Sequence, residues 1–215
     1  MNNHIILALV GPSGSGKTTL AKAMEKTGIW HDIVSYTTRP MRPGEREGLE
    51  HRFIDHPTYD TFFAQRPKTA YTLIAGEHYF VTDEQLIVYS RQTYVIDEAG
   101  LLMLQRTVTD AANVPSSPLH DVCIIPVHIT RSLAARIASG VDEARIRRDM
   151  ERDQLPPEAY AIHIHNNCSS SIELETWAKT FASWMRHHLA EFVHSVQRTD
   201  THSPINLYTN QSISL

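Results

Sequence analysis

The chain has 215 residues, 41% of them hydrophobic, with 24 acids against 20 lysines and arginines for a formal net charge of −4. That length buries one good core, which favours one α/β domain carrying a smaller insert over two independent domains. The acidic balance argues against a surface built to coat nucleic acid, and no apolar run approaches the roughly 20 residues needed to span a bilayer.

The opening "MNNHIILALVGPSG" has neither a basic start nor a small-residue cleavage site, so a cytoplasmic protein is expected, with no membrane partner. "HIILALV" is a branched, uninterrupted apolar run of the kind found in parallel strands covered on both faces. "KTTLAKAMEKTG" follows with helical spacing and stops at Gly28. Further strands are predicted at "DIVSYT", "TYVID", "DVCIIPVHI" and "AYAIHIHN", and helices at "EAGLLMLQRTVTDA", "SLAARIAS", "VDEARIRRDMERD" and "SIELETWAKTFASWMRHHLAEFVHSV". Strand alternating with helix predicts a parallel sheet with helices on both faces. Residues 37–90 break this rhythm with prolines and short aromatic runs, and are read as an insert over the ligand edge of the sheet. The polar, unpatterned residues 196–215 are expected to form a loose tail. Cys123 and Cys168, the only cysteines, are read as packed thiols.

"GPSGSGKT" fits G-x-x-x-x-G-K-[ST] directly after a buried strand and at the opening of a helix. Gly11, Pro12, Ser13, Gly14, Ser15, Gly16, Lys17, Thr18 and the following Thr19 are therefore the expected ATP site. Glycines let consecutive N–H groups turn inward, the helix terminus adds partial positive charge, Lys17 reaches the outer phosphates, and the Thr18 hydroxyl can hold Mg²⁺.

"SYTTRPMRPGEREG" places Arg39, Arg42 and Arg46 within eight positions, two of them beside prolines. Their partners are either Glu45, Glu47 and Glu50 or a bound anion. Once a phosphoryl donor is in place the second reading gains weight, since a kinase for a phosphorylated acceptor must hold a second polyanion. Arg39 and Arg42 are the candidates, with the Ser35 and Thr38 hydroxyls as added donors.

Gly11–Thr18, this arginine block, "YVIDEAG" and a late arginine-rich helix together resemble the guanylate kinase family of nucleoside monophosphate kinases, over most of Ile5 to Asn167. The resemblance implies a phosphate-loop kinase fold: a five-stranded parallel core (1–36 and 91–195), an acceptor-binding insert with its own small sheet (37–90), and a helical lid (about 131–152). It implies Mg²⁺·ATP as donor and GMP as acceptor, in a monomer or homodimer. It assigns the acceptor phosphate to Arg39 and Arg42 with Ser35 and Tyr79, and places Asp97 near acceptor and metal. It also marks departures. Ala70 stands where a guanine-binding carboxylate is usual, His51 where a tyrosine is usual, and Phe80-Val81 replaces a small pair.

Asp97 closes the strand "TYVI", and strand carboxyl ends are where open parallel sheets bind ligands; it is equally a helix N-cap, and the two roles can coexist. Arg136, Arg147 and Arg148 are the lid arginines expected to stabilise the moving phosphoryl group, within a set that includes Arg145 and Arg152. Among 13 histidines none stands in a metal-ligand pattern; His163 and His165 share one strand face and are read as surface or edge residues, and His187, His188 and His194 as solvated. A sugar-phosphate kinase of the ribose bisphosphate type and a non-catalytic interaction module are the alternatives.

Overall fold

The computed structural model describes residues 4–152, 154–197 and 205–209, together with 211 and 213. From β1 (His4–Val10) the chain enters α1 (Lys17–Glu25) and returns to β2 (His31–Asp32). It then leaves the main sheet for β3 (Tyr36–Thr37), β4 (Arg52–Phe53), α2 (His56–Phe62), β5 (Ala70–Ile74), β6 (Glu77–Val81) and the short α3 (Asp83–Leu86). β7 (Arg91–Val95), α4 (Glu98–Ala112), β8 (Val122–Thr130), α5 (Leu133–Ala138), α6 (Glu143–Glu151), β9 (Ile162–His165), α7 (Ser171–Gln197) and β10 (Ile205–Tyr208) follow.

The main sheet has six parallel strands in the order β10-β9-β8-β1-β7-β2. β1 shows why its sequence is apolar throughout. Ile5, Leu7 and Leu9 join a core with Trp30, Phe181 and Met185 beneath α1 and α7, while Ile6, Ala8 and Val10 join a second core with Leu101 and Leu104 beneath α4. Among the described residues no helix is long and apolar enough to cross a membrane.

The resemblance implies five strands in this core; the sixth, β10, lies inside the stretch read as a loose tail. It pairs in parallel with β9, Leu207 enters the core, and Tyr208 stacks on His165 with ring centroids 4.5 Å apart. Four residues among polar neighbours carry too little periodicity to announce a strand, and the pairing edge of β9 supplies what they lack. Residues 198–204, 210, 212, 214 and 215 of that tail lie outside the described residues, as does the side chain of His194. Leu207→Ala is expected to lower stability by about 2 kcal/mol, read as a shift in the urea midpoint, because it empties a buried site at a sheet edge.

"DIVSYT" also divides. Asp32 ends a strand of the main sheet, Ile33 still donates its N–H to the Thr93 carbonyl at 2.8 Å, and Tyr36–Thr37 pair in the second sheet. That sheet is mixed, in the order β4-β3-β6-β5. Its β5–β6 hairpin turns on Ala75 and Gly76, both with positive φ (52° and 83°), as a two-residue hairpin requires. The register sets Thr72 opposite Tyr79 and Ala70 opposite Val81. His163 is buried at 8% exposure, not on the surface: its Nε2 meets the Pro157 carbonyl and its Nδ1 lies 3.3 Å from His128 Nδ1. His187 is exposed, and His188 bonds the Trp184 carbonyl. Both cysteines are buried free thiols.

Candidate active site

The loop Gly11–Ser15 links β1 to α1 at the carboxyl edge of the main sheet. All three glycines in this motif are sterically forced, Gly14 at φ 74° because a Cβ there would lie 2.4 Å from Val141 Cγ2. A Cβ at Gly11 would lie 2.1 Å from the Ile129 carbonyl oxygen, and one at Gly16, the left-handed cap of α1 at φ 106°, would meet Asn166 and Leu174 at 2.7 Å. Lys17 turns its ammonium onto the loop, donating to the carbonyls of Gly11 (2.7 Å) and Pro12 (3.0 Å), and burial lowers its pKa to about 8. Thr18 is exposed at the mouth.

Across from the loop lies a cavity of about 220 Å³ whose walls include Gly11, Ser13, Lys17, Ser35, Arg42, His51, Tyr79 and Asp97. It opens beside a larger trough, about 740 Å³, that runs from the loop past Arg39 to Asn166 and Ser169–Ser171. Asp97 is both cap and wall: its Oδ1 accepts the Gly100 N–H at 2.7 Å and the Thr72 hydroxyl at 2.8 Å, tying the insert to the strand end. Ser35 Oγ pairs with His51 Nδ1 at 2.9 Å. Burial, with Arg39 nearby, holds His51 at a pKa of about 4, so it is neutral at pH 7.

The two arginines of the block part company. Arg39, 8% exposed, forks onto Glu45 at 2.7 and 2.9 Å, which is the internal pairing that the charge pattern allowed. Arg42 lines both cavities, and burial together with the neighbouring Arg39 lowers its pKa, a strain that a bound anion would relieve. The backbone N–H of Arg46 donates to Glu50 Oε2 at 2.8 Å.

The lid arginines are sorted in the same way. Arg136, 7% exposed, donates Nε to the Ser13 carbonyl at 2.7 Å. Arg147, expected in the site, instead faces solvent and pairs with Glu143 at 3.2 Å, an ordinary i,i+4 surface contact. Arg148 lines the smaller cavity with Arg145 and Arg152. Helical phase decides this: position 147 points away from the loop when 145, 148, 149 and 152 face it. The sequence reading did not single out Asp149, whose carboxylate bonds Ser13, or Asn166, whose amide donates to the Ser15 carbonyl at 2.8 Å.

Fold and loop together define an α/β protein of the phosphate-loop kinase type. No family model matches the chain. Its relatives are guanylate kinases: that of one Thermus thermophilus strain is 34% identical over 112 residues (49% of this chain, 50% of the relative), and that of Aromatoleum aromaticum 32% over 114 residues (51% and 56%). The guanylate kinase of Legionella pneumophila strain Lens is 46% identical over 59 residues (27% and 28%). The matches span about half the length of these relatives or less. The crystal structure of guanylate kinase from Anaplasma phagocytophilum superposes with a TM-score of 0.58 at 19% identity, covering 93% of this chain and 98% of that one, which shows the shared fold. The chain is thus related to the guanylate kinases in sequence and in fold.

Proposed function

We propose that the chain is an ATP-dependent phosphotransferase of guanylate kinase type, carrying the γ-phosphoryl group of ATP to the phosphate of GMP. The observation that carries the reading is that Lys17 of the phosphate loop and Ser35, Arg42 and Tyr79 of the acceptor insert line one cavity, with Asp97 between them. Two polyanions held there face each other, and transfer then needs positioning and charge stabilisation without a covalent intermediate. Neither the sugar-phosphate nor the non-catalytic alternative gains support from the relatives.

Lys17 holds the outer donor phosphates once its ammonium leaves the loop carbonyls. Arg42 holds the acceptor phosphate with Ser35 and Tyr79, and Arg39 joins them by exchanging Glu45 for the phosphate. Arg136, Arg145 and Arg148 face the charge of the moving group and exclude water. The Thr18 hydroxyl and the Asp97 carboxylate are hard oxygen donors that suit Mg²⁺, and Asp97 spends one oxygen on its cap, which leaves the second for a cation. Bound there with ATP, the ion would neutralise phosphate charge.

Arg42→Ala is expected to raise acceptor KM about ten- to a hundredfold with ATP KM nearly unchanged, the worth of a charged hydrogen bond. Arg39→Ala is expected to act in the same direction but less strongly, since in the wild type the gain of the phosphate is offset by the loss of the Glu45 pair. Steady-state kinetics with each substrate varied in turn test this; an unaltered acceptor KM in both variants would return the block to a loop paired with its own glutamates.

A further inference from the structure

The phosphate loop already holds an anion. Oδ2 of Asp149, on α6, accepts the Ser13 N–H at 2.8 Å and lies 2.5 Å from Arg136 Nη2, while Oδ1 accepts the Ser13 hydroxyl at 3.2 Å. Arg136 closes the triangle by donating Nε to the Ser13 carbonyl. Among the described residues no other carboxylate bonds the loop. The burial of α6 is inverted for an amphipathic helix: Met150 is 72% exposed, whereas Asp149 is buried at 7%. Asp149 is the one buried residue of α6, and its carboxylate ties the helix to the loop. A single N–H cannot serve both Asp149 and a phosphate oxygen, and two anions a few ångströms apart repel.

We propose that Asp149 sets the affinity of the donor site: its carboxylate occupies the Ser13 position that a donor phosphate oxygen needs, so triphosphate binding displaces it and frees Arg136 for the phosphoryl group. The inference rests on reading Gly11–Thr18 as the donor loop.

Calorimetric titration of the full chain with Mg·ATP, and with metal-free tripolyphosphate, tests it in wild type, Asp149→Asn, Asp149→Ala and Lys17→Ala. Both Asp149 variants are expected to bind both probes about ten- to a hundredfold more tightly than wild type, the weight of a displaced charged hydrogen bond. Without ligand they are expected to melt at lower temperature, because Arg136 loses its buried partner, and to regain more from added ATP than wild type does. Loss of ATP binding in Lys17→Ala upholds the donor loop. With the loop so upheld, unchanged or weaker binding in the Asp149 variants overturns the present inference alone. Weakening confined to Mg·ATP would make Asp149 a metal ligand and overturn it as well. Equal ATP binding by wild type and Lys17→Ala would remove the donor-loop reading itself.

Discussion

Replacing Lys17 with alanine is expected to abolish phosphoryl transfer to every acceptor. One preorganised cation aimed at developing charge is worth about a hundred- to a thousandfold in rate, and in the proposed function Lys17 also binds the donor. The same residue predicts a pH profile. Burial lowers its pKa to about 8 in the free chain, and triphosphate needs the ammonium form. Below that pH, kcat/KM for ATP should be level in this group; above it the free protein has lost the proton, so kcat/KM should fall about tenfold per pH unit. Lys17→Arg keeps its charge throughout and should lose the high-pH limb, whatever its absolute rate. Normal turnover in Lys17→Ala would refute the loop assignment, and a wild-type profile that stays level through pH 8 would refute the role of the buried ammonium.

GMP is expected to be preferred over AMP by about a hundredfold or less. Guanine presents two adjacent donors, for which a buried carboxylate is the natural partner, and each buried donor left unpaired costs about 1–3 kcal/mol. The family resemblance puts such a carboxylate at position 70, where this chain has a buried alanine. No acid of the insert takes its place. Asp55 caps α2, Glu77 accepts from Thr38 and His56, and Asp83 accepts from Thr69; among the described acids only Asp97 and Asp149 line the smaller cavity. Asp97 spends one oxygen on Thr72 and Gly100, and Asp149 lies on α6 beside Ser13 of the loop, outside the insert. Parallel kcat/KM values for GMP, dGMP and AMP decide the matter, and a GMP preference of about a thousandfold or more would mean that the base is read by some other contact.

Much of this architecture is local chemistry. The phosphate loop is legible because its glycines, lysine and threonine are adjacent and the flanking strand and helix have clear signatures, a short branched apolar run and a 3.6-residue period. Asp97 is legible as a residue closing an apolar strand. The arginine block announces itself by charge density, yet density does not say which guanidinium is free. Arg39 closing on Glu45 while Arg42 faces the cavity depends on how the loop folds back after Pro40 and Pro43, with the Arg39 guanidinium over Phe53 and the Arg42 backbone N–H on Glu45.

The alternation of strands and helices, the phosphate-loop motif, and the cluster of cations after it can all be read without coordinates, because each is written in residues close along the chain. Which strands share a sheet, that Ile205–Tyr208 add a sixth, that Arg147 faces solvent, and that Asp149 reaches Ser13 across 136 positions are settled by packing alone. These are choices of partner between distant segments. A one-dimensional pattern shows that a side chain is charged or apolar, and only the folded arrangement shows what it meets.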